Sequence, residues 1–123
     1  MTGNKIIMVE DDNAISDVLS IILKSNLYNV ITYTSAEDCL STQEEVPDVF
    51  LIDYHLPGMN GLELCTKLKS NTATKHIPVI MISADYYIRK RASECGASTA
   101  IDKPFSRLEL LEAIQDALHT DRS

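Results

Sequence analysis

Val49-Phe50-Leu51-Ile52-Asp53 is the stretch from which the fold is read: four consecutive apolar residues closed by a carboxylate. A strand with one face in water would alternate, whereas an unbroken apolar run of this length suits a strand covered on both faces. The same signature recurs at Ile6 to Val9, Val30 to Ile31, Val79 to Ile82 and, more weakly, Ala100 to Ile101. Between these runs the apolar residues change to a helical period: Ile15, Val18, Leu19 and Ile22, then Leu62, Cys65 and Leu68, then Ile88, Ala92 and Cys95, then Leu111, Ile114 and Leu118. Each set lays one stripe along a helix. Asn13, Ser35 with Asp38 behind it, and Ser106 with Glu109 in capping-box spacing mark helix starts, and Gly96 marks a stop. Strand and helix thus alternate five times. The expected architecture is α/β, a doubly wound five-stranded parallel sheet with right-handed crossovers and helices on both faces.

A chain of 123 residues has room for one domain, expected over residues 1–123 with a core from about residue 5 to 118. Eleven Lys and Arg against eighteen Asp and Glu leave a net charge of −7. A cationic footprint for phosphate backbones or anionic lipid is missing, so neither direct nucleic-acid binding nor membrane association is expected. No apolar run approaches a membrane span, and the opening MTGNKIIMVEDD turns acidic where a signal peptide would stay apolar, which predicts a cytoplasmic protein. Cys39, Cys65 and Cys95 are odd in number and widely spaced, so they read as reduced core thiols rather than a disulfide framework or zinc site. His55, His76 and His119 lack the spacing of a metal pair.

In doubly wound sheets, ligands sit outside the carboxyl ends of the strands. There the sequence collects Glu10, Asp11 and Asp12 after the first run, Asp53 ending the third, Ser83 ending the fourth and Lys103 after the fifth. Asp11, Asp12 and Asn13 taken alone read as a strand-to-helix turn with an N-cap. Asp53 is harder to dismiss, because a carboxylate at the edge of a buried strand beside further carboxylates is costly without a compensating cation. One divalent ion plus the Lys103 ammonium balances Asp11, Asp12 and Asp53. Magnesium suits these hard oxygen donors, with Asp12 expected to bind it directly and Asp11 directly or through water. A metal, a lysine, a hydroxyl and a spare carboxylate equip a site for phosphoryl transfer, with Asp53 as nucleophile and Ser83 and Lys103 gripping phosphoryl oxygens. No glycine-rich phosphate loop is present, so no nucleotide is implied.

These features resemble the receiver domains of two-component response regulators from about Lys5 to Leu118. The likeness rests on Glu10-Asp11-Asp12, Asp53, Leu56-Pro57-Gly58-Met59-Asn60-Gly61, Ser83-Ala84 and Lys103-Pro104-Phe105 in this order and setting. It implies a flavodoxin-like sheet of strand order 2-1-3-4-5. It implies that Asp53 is the phosphoacceptor for a histidine kinase or histidine phosphotransferase, and that Ser83 and Lys103 read the phosphoryl group. By the same resemblance Asp11, Asp12, Asp53 and the backbone carbonyl of His55 hold Mg2+, Lys103-Pro104 is cis, and His55 and Asp85 flank the path of attacking water.

The implied protein is a switch rather than a turnover enzyme. It would signal through the face of the fourth helix, fifth strand and fifth helix, to a downstream protein, to an output domain absent from the chain, or by forming a homodimer. One position departs from the family: Ala100 stands where receivers carry a switching aromatic, and Tyr86 and Tyr87 are read either as filling that space or as exposed loop residues. Two other classes share parts of the pattern. A pseudo-receiver interaction module would keep the fold without the chemistry. An aspartyl phosphatase would need a general acid two residues past Asp53, where His55 stands, and a substrate cap for which the chain has no length.

Overall fold

Five parallel strands form one sheet in the order β2-β1-β3-β4-β5. They are β1 (Lys5–Val9), β2 (Asn29–Tyr33), β3 (Val49–Asp53), β4 (Val79–Ser83) and β5 (Thr99–Asp102), alternating with α1 (Asn13–Ser25), α2 (Ala36–Ser41), α3 (Gly61–Lys69), α4 (Ile88–Glu94) and α5 (Arg107–Thr120). The computed structural model describes residues 4–41 and 46–120. Among these, no helix is long and apolar enough to cross a membrane.

Burial explains why some strands were plainer in the sequence than others. Every residue of β3 and β4 is buried, because helices roof both faces, and unbroken apolar runs are the result. The edge strand β2 has no fully buried residue. Its apolar signal therefore shrinks to Val30 and Ile31, although the strand itself continues from Asn29 to Tyr33.

Strand alternation divides the core into two layers. Ile6, Met8, Val49, Leu51, Ile80 and Ile82 pack with Leu19 and Leu23 of α1 and Leu110 and Ile114 of α5. On the opposite face, Ile7, Val9, Phe50, Ile52 and Met81 pack with Leu64, Cys65 and Leu68 of α3, and with Ile88 and Ala92 of α4. The stripe expected on α1 is partly displaced. Leu19 is buried but Val18 is exposed, and Ser16 and Leu23 complete the inward side. Ile15, Val18 and Ile22 instead line a groove of about 620 Å³ against Pro104 and Phe105.

The helix ends follow local hydrogen-bond chemistry. Ser35 Oγ accepts the N–H of Asp38, and Ser106 and Glu109 form the expected reciprocal box. A second such box, Asn60 with Glu63, opens α3. The residue capping α1 is Asp12, one position before the expected Asn13. Gly96, at φ +98°, ends α4, with its own N–H bonded to Ser93 O and that of Ala97 to Ala92 O, the pair of bonds that closes a helix through a left-handed residue.

Candidate functional site

The site follows from carrying strand alternation one residue past each apolar run. Val9 pairs with Ile52, so Glu10 and Asp53 come next, side by side on adjacent strands and on the layer of Met8 and Leu51. Both carboxyl groups are buried, each residue 3% exposed. From the next pair of strands, Ser83 faces Asp102, and the Lys103 N–H donates to Ser83 O. Lys103-Pro104 is cis, in line with the resemblance.

Asp53 is held at both oxygens. The Lys103 ammonium donates to Oδ2 at 2.6 Å, and the His55 backbone N–H donates to Oδ1 at 2.8 Å. Burial works against the charge on Lys103, but the hydrogen bond to Asp53 and the carboxylates of Asp53, Glu10 and Asp11 more than offset it and raise its pKa. Asp11 is exposed, yet its charge is felt at the lysine.

The three acids after β1 have separate tasks. Glu10 turns inward: its Oε2 accepts the Asp12 N–H at 3.1 Å, and its Oε1 lies 3.8 Å from Lys103 Nζ. That Oε1 is buried with no hydrogen-bond partner. Burial, reinforced by the neighbouring Asp53 carboxyl, pushes the Glu10 pKa up to about 8. Asp12, expected beside a metal, uses its Oδ1 to accept the N–H groups of Ala14 and Ile15. This is the capping role that the turn reading allowed. Glu10 was the residue undervalued from sequence, although alternation beyond Met8 was a signal for it.

Gly61 allows α3 to start directly against β3. A Cβ at this position would stand 2.5 Å from Asp53 O and 2.8 Å from Tyr54 Cα, while the Gly61 N–H donates to Tyr54 O. The glycine therefore fixes the height of the loop that carries His55. Ser83 is buried, and its hydroxyl accepts the Asp85 N–H at 2.8 Å. Asp85 in turn accepts the Tyr87 N–H. Tyr86 and Tyr87 are 77% and 76% exposed and meet edge to face, so in this state the exposed reading holds and neither ring fills the space at Ala100. Ala100 packs at the margin of the α3–α4 layer.

Among the described residues, no three His, Cys, Asp or Glu side chains form a ready metal cage. The local chemistry nevertheless fits a hard divalent cation that keeps much of its water. The donors are all oxygens, two buried carboxyl groups face one ammonium, and a buried carboxyl oxygen lacks a partner.

Comparison with known proteins agrees with this arrangement. Residues 6–115 match the model of the response regulator receiver domain. The phosphate regulon transcriptional regulatory protein PhoB of Rhizobium meliloti is 34% identical over 117 residues, 93% of this chain and 52% of PhoB. The chain thus spans about half the length of such curated relatives. The chemotaxis response regulator CheY4 of Vibrio cholerae superposes with a TM-score of 0.88 at 26% identity, covering 95% of this chain and 100% of CheY4. The receiver domain of the sensor histidine kinase PA1611 from Pseudomonas aeruginosa has the same fold, with a TM-score of 0.87 at 24% identity over 96% of this chain and 99% of its own. That protein carries a magnesium ion in its active-site cleft. A flavodoxin-like sheet with a buried aspartate at the end of its central strand and a match along most of its length place this chain in the response regulator receiver domain family of two-component signalling.

Proposed function

We propose that this domain takes a phosphoryl group onto Asp53 from the phosphohistidine of a histidine kinase or histidine phosphotransferase, and that it acts as a switch rather than a turnover enzyme. The observation carrying this reading is the buried Asp53 carboxylate held at 2.6 Å by Lys103 beside a second buried acid. An Asp53 oxygen attacks phosphorus, the phosphorus–nitrogen bond breaks, and the donor imidazole leaves. Lys103, already at the acceptor, pairs with a phosphoryl oxygen. The Ser83 hydroxyl, whose oxygen accepts the Asp85 N–H, keeps its own proton to donate to another.

Asp11, Asp53 and the His55 carbonyl would hold Mg2+, with Glu10 lining the same space. Asp12 spends one carboxylate oxygen, Oδ1, on its cap of α1 and would join them only through Oδ2. When bound, the ion neutralises charge between the carboxylates and the incoming phosphoryl oxygens. The apolar groove of Ile15, Val18, Ile22 and Phe105 reaches Lys103 and gives the donor protein a surface beside the acceptor. The face of α4, β5 and α5 would carry the signal to a downstream protein, an appended output domain or a second copy. The acidic charge and free thiols support a cytoplasmic setting.

The test is incubation with a small-molecule phosphodonor and magnesium, followed by intact mass measurement. One phosphoryl group should be added, and chelation or Asp53→Ala should abolish the addition. Equal labelling of Asp53→Ala would overturn the assignment.

A further inference from the structure

We propose that Cys65 and Cys95 form a thiol pair that a hydroperoxide oxidises to a disulfide, stapling α3 to the C-terminal cap of α4. Thirty residues separate them in sequence, yet the Cys65 thiol donates to the Cys95 carbonyl oxygen at 3.6 Å. That oxygen is two bonds from its own Cα, and both residues pack in the same apolar layer between the sheet, α3 and α4. The Cys95 thiol is also close enough for its charge to raise the Cys65 pKa.

The two sulfurs differ in access. Cys65 is buried, and burial pushes its thiol up to about 11, so at neutral pH it stays protonated. Cys95 is half-buried at the edge of an open groove of about 440 Å³ between α3 and α4, where Lys69 and Arg91 also stand. The backbone around it is well defined. Cys95 caps α4, Gly96 turns the chain, and a Cβ at Gly96 would stand 3.0 Å from Lys69 Cγ. An accessible thiol beside a buried partner is the arrangement of a peroxidatic and a resolving cysteine.

The chemistry balances with one hydroperoxide. The Cys95 sulfur attacks a peroxide oxygen, the oxygen–oxygen bond breaks, and the departing oxide takes the proton of the Cys95 thiol, leaving a sulfenic acid. The Cys65 sulfur then attacks the Cys95 sulfur, the sulfur–oxygen bond breaks, and water leaves with the Cys65 proton. Two thiols are oxidised and one peroxide is reduced. The bridge would tie the end of α4 to the middle of α3, and its formation requires no phosphoryl chemistry at Asp53.

The reduced full chain is treated with hydrogen peroxide, then unfolded with an alkylating reagent and measured by intact mass and peptide mapping. The expected product is lighter by two hydrogens before alkylation, retains one alkylatable thiol at Cys39, and yields a linked peptide pair carrying Cys65 and Cys95 that a dithiol separates. Cys95→Ser should give no internal bridge, and Cys65→Ser should leave a sulfenic acid at Cys95 that dimedone traps. Asp53→Ala should form the bridge as wild type does, which keeps this result separate from the phosphoryl reading. Three alkylatable thiols after peroxide, a bridge to Cys39, or overoxidation of Cys95 without a bridge in the wild-type chain would overturn the proposal.

Discussion

The Glu10 carboxylate accepts the backbone N–H of Asp12 at 3.1 Å, and this bond sorts the acids of the β1–α1 turn. Glu10 is drawn under the turn towards Lys103, and Asp12 is left to cap α1. Asp12→Ala should therefore cost about 1 kcal/mol of stability, the usual loss for a side-chain cap. Its melting temperature should still rise with magnesium, whereas that of Asp11→Ala should rise much less. Loss of the magnesium response in Asp12→Ala alone would return that residue to the metal set.

Stability without metal should fall as pH rises. Glu10 has its pKa raised from 4.5 to about 8, so between those values the folded chain keeps a proton that the unfolded chain has released. The folded state then binds more protons, and stability declines through that range. Magnesium competes with this proton, so its stabilising effect should grow with pH. Thermal melts of wild type and Glu10→Gln across the range decide the matter, and an equally steep decline in the variant would assign the slope to another group.

Gly61→Ala should disturb the acceptor without touching it. The added methyl meets Asp53 O and Tyr54 Cα, both backbone atoms, and Met81 Sδ at 2.9 Å, so the start of α3 must lift from β3. Overpacking of this kind costs about 1–3 kcal/mol. Phosphate uptake should slow as well, because the loop holding His55 against Asp53 moves with it. Denaturant unfolding and intact mass after phosphodonor treatment measure the two effects.

Lys103→Ala should separate uptake from response. Removing the ammonium leaves two buried carboxyl groups facing each other. The expected cost is about 2 kcal/mol, below that of breaking a fully buried pair, because 26% of the lysine side chain is exposed. Magnesium should recover part of it. The variant should accept some phosphate at Asp53, yet beryllofluoride should produce no change in amide exchange along α4 and β5. A wild-type exchange response would remove the lysine from the relay.

Replacing Tyr86 and Tyr87 together by alanine should change stability by no more than about 0.5 kcal/mol, as for other exposed positions. Phosphate uptake should be unchanged. A weakened beryllofluoride response would show that one ring moves into the space beside Ala100 on activation. An unchanged response would leave the pair as surface residues.

The legible parts of the molecule were those where burial imposes a pattern. β3 and β4 announced themselves because both faces are covered, and Ser106 with Glu109 because a capping box has fixed spacing. Asp53, Ser83 and Lys103 could be placed at one sheet edge because strand ends are ordered by topology. The roles of Glu10 and Asp12 could not be separated from spacing, since either acid in a short turn can cap a helix and only the observed hydrogen bonds choose between them. Val18 belongs to the apolar stripe of α1 yet is exposed, because periodicity gives a stripe but not its rotation about the helix axis. The approach of Cys65 to Cys95 depends on how α3 and α4 dock, which no local pattern encodes.

The bond from Lys103 to Asp53 closes fifty residues of chain, and this bears on the order in which the molecule assembles. Contacts of such separation carry a loop-closure entropy that local ones do not, so this one forms after the β-α units between β3 and β5 have assembled. Perturbing the pair should then accelerate unfolding while leaving the refolding rate nearly unchanged. A ligand that bridges Asp53 to the β5–α5 segment would act on the same limb, lengthening the lifetime of the native state more than it hastens its formation.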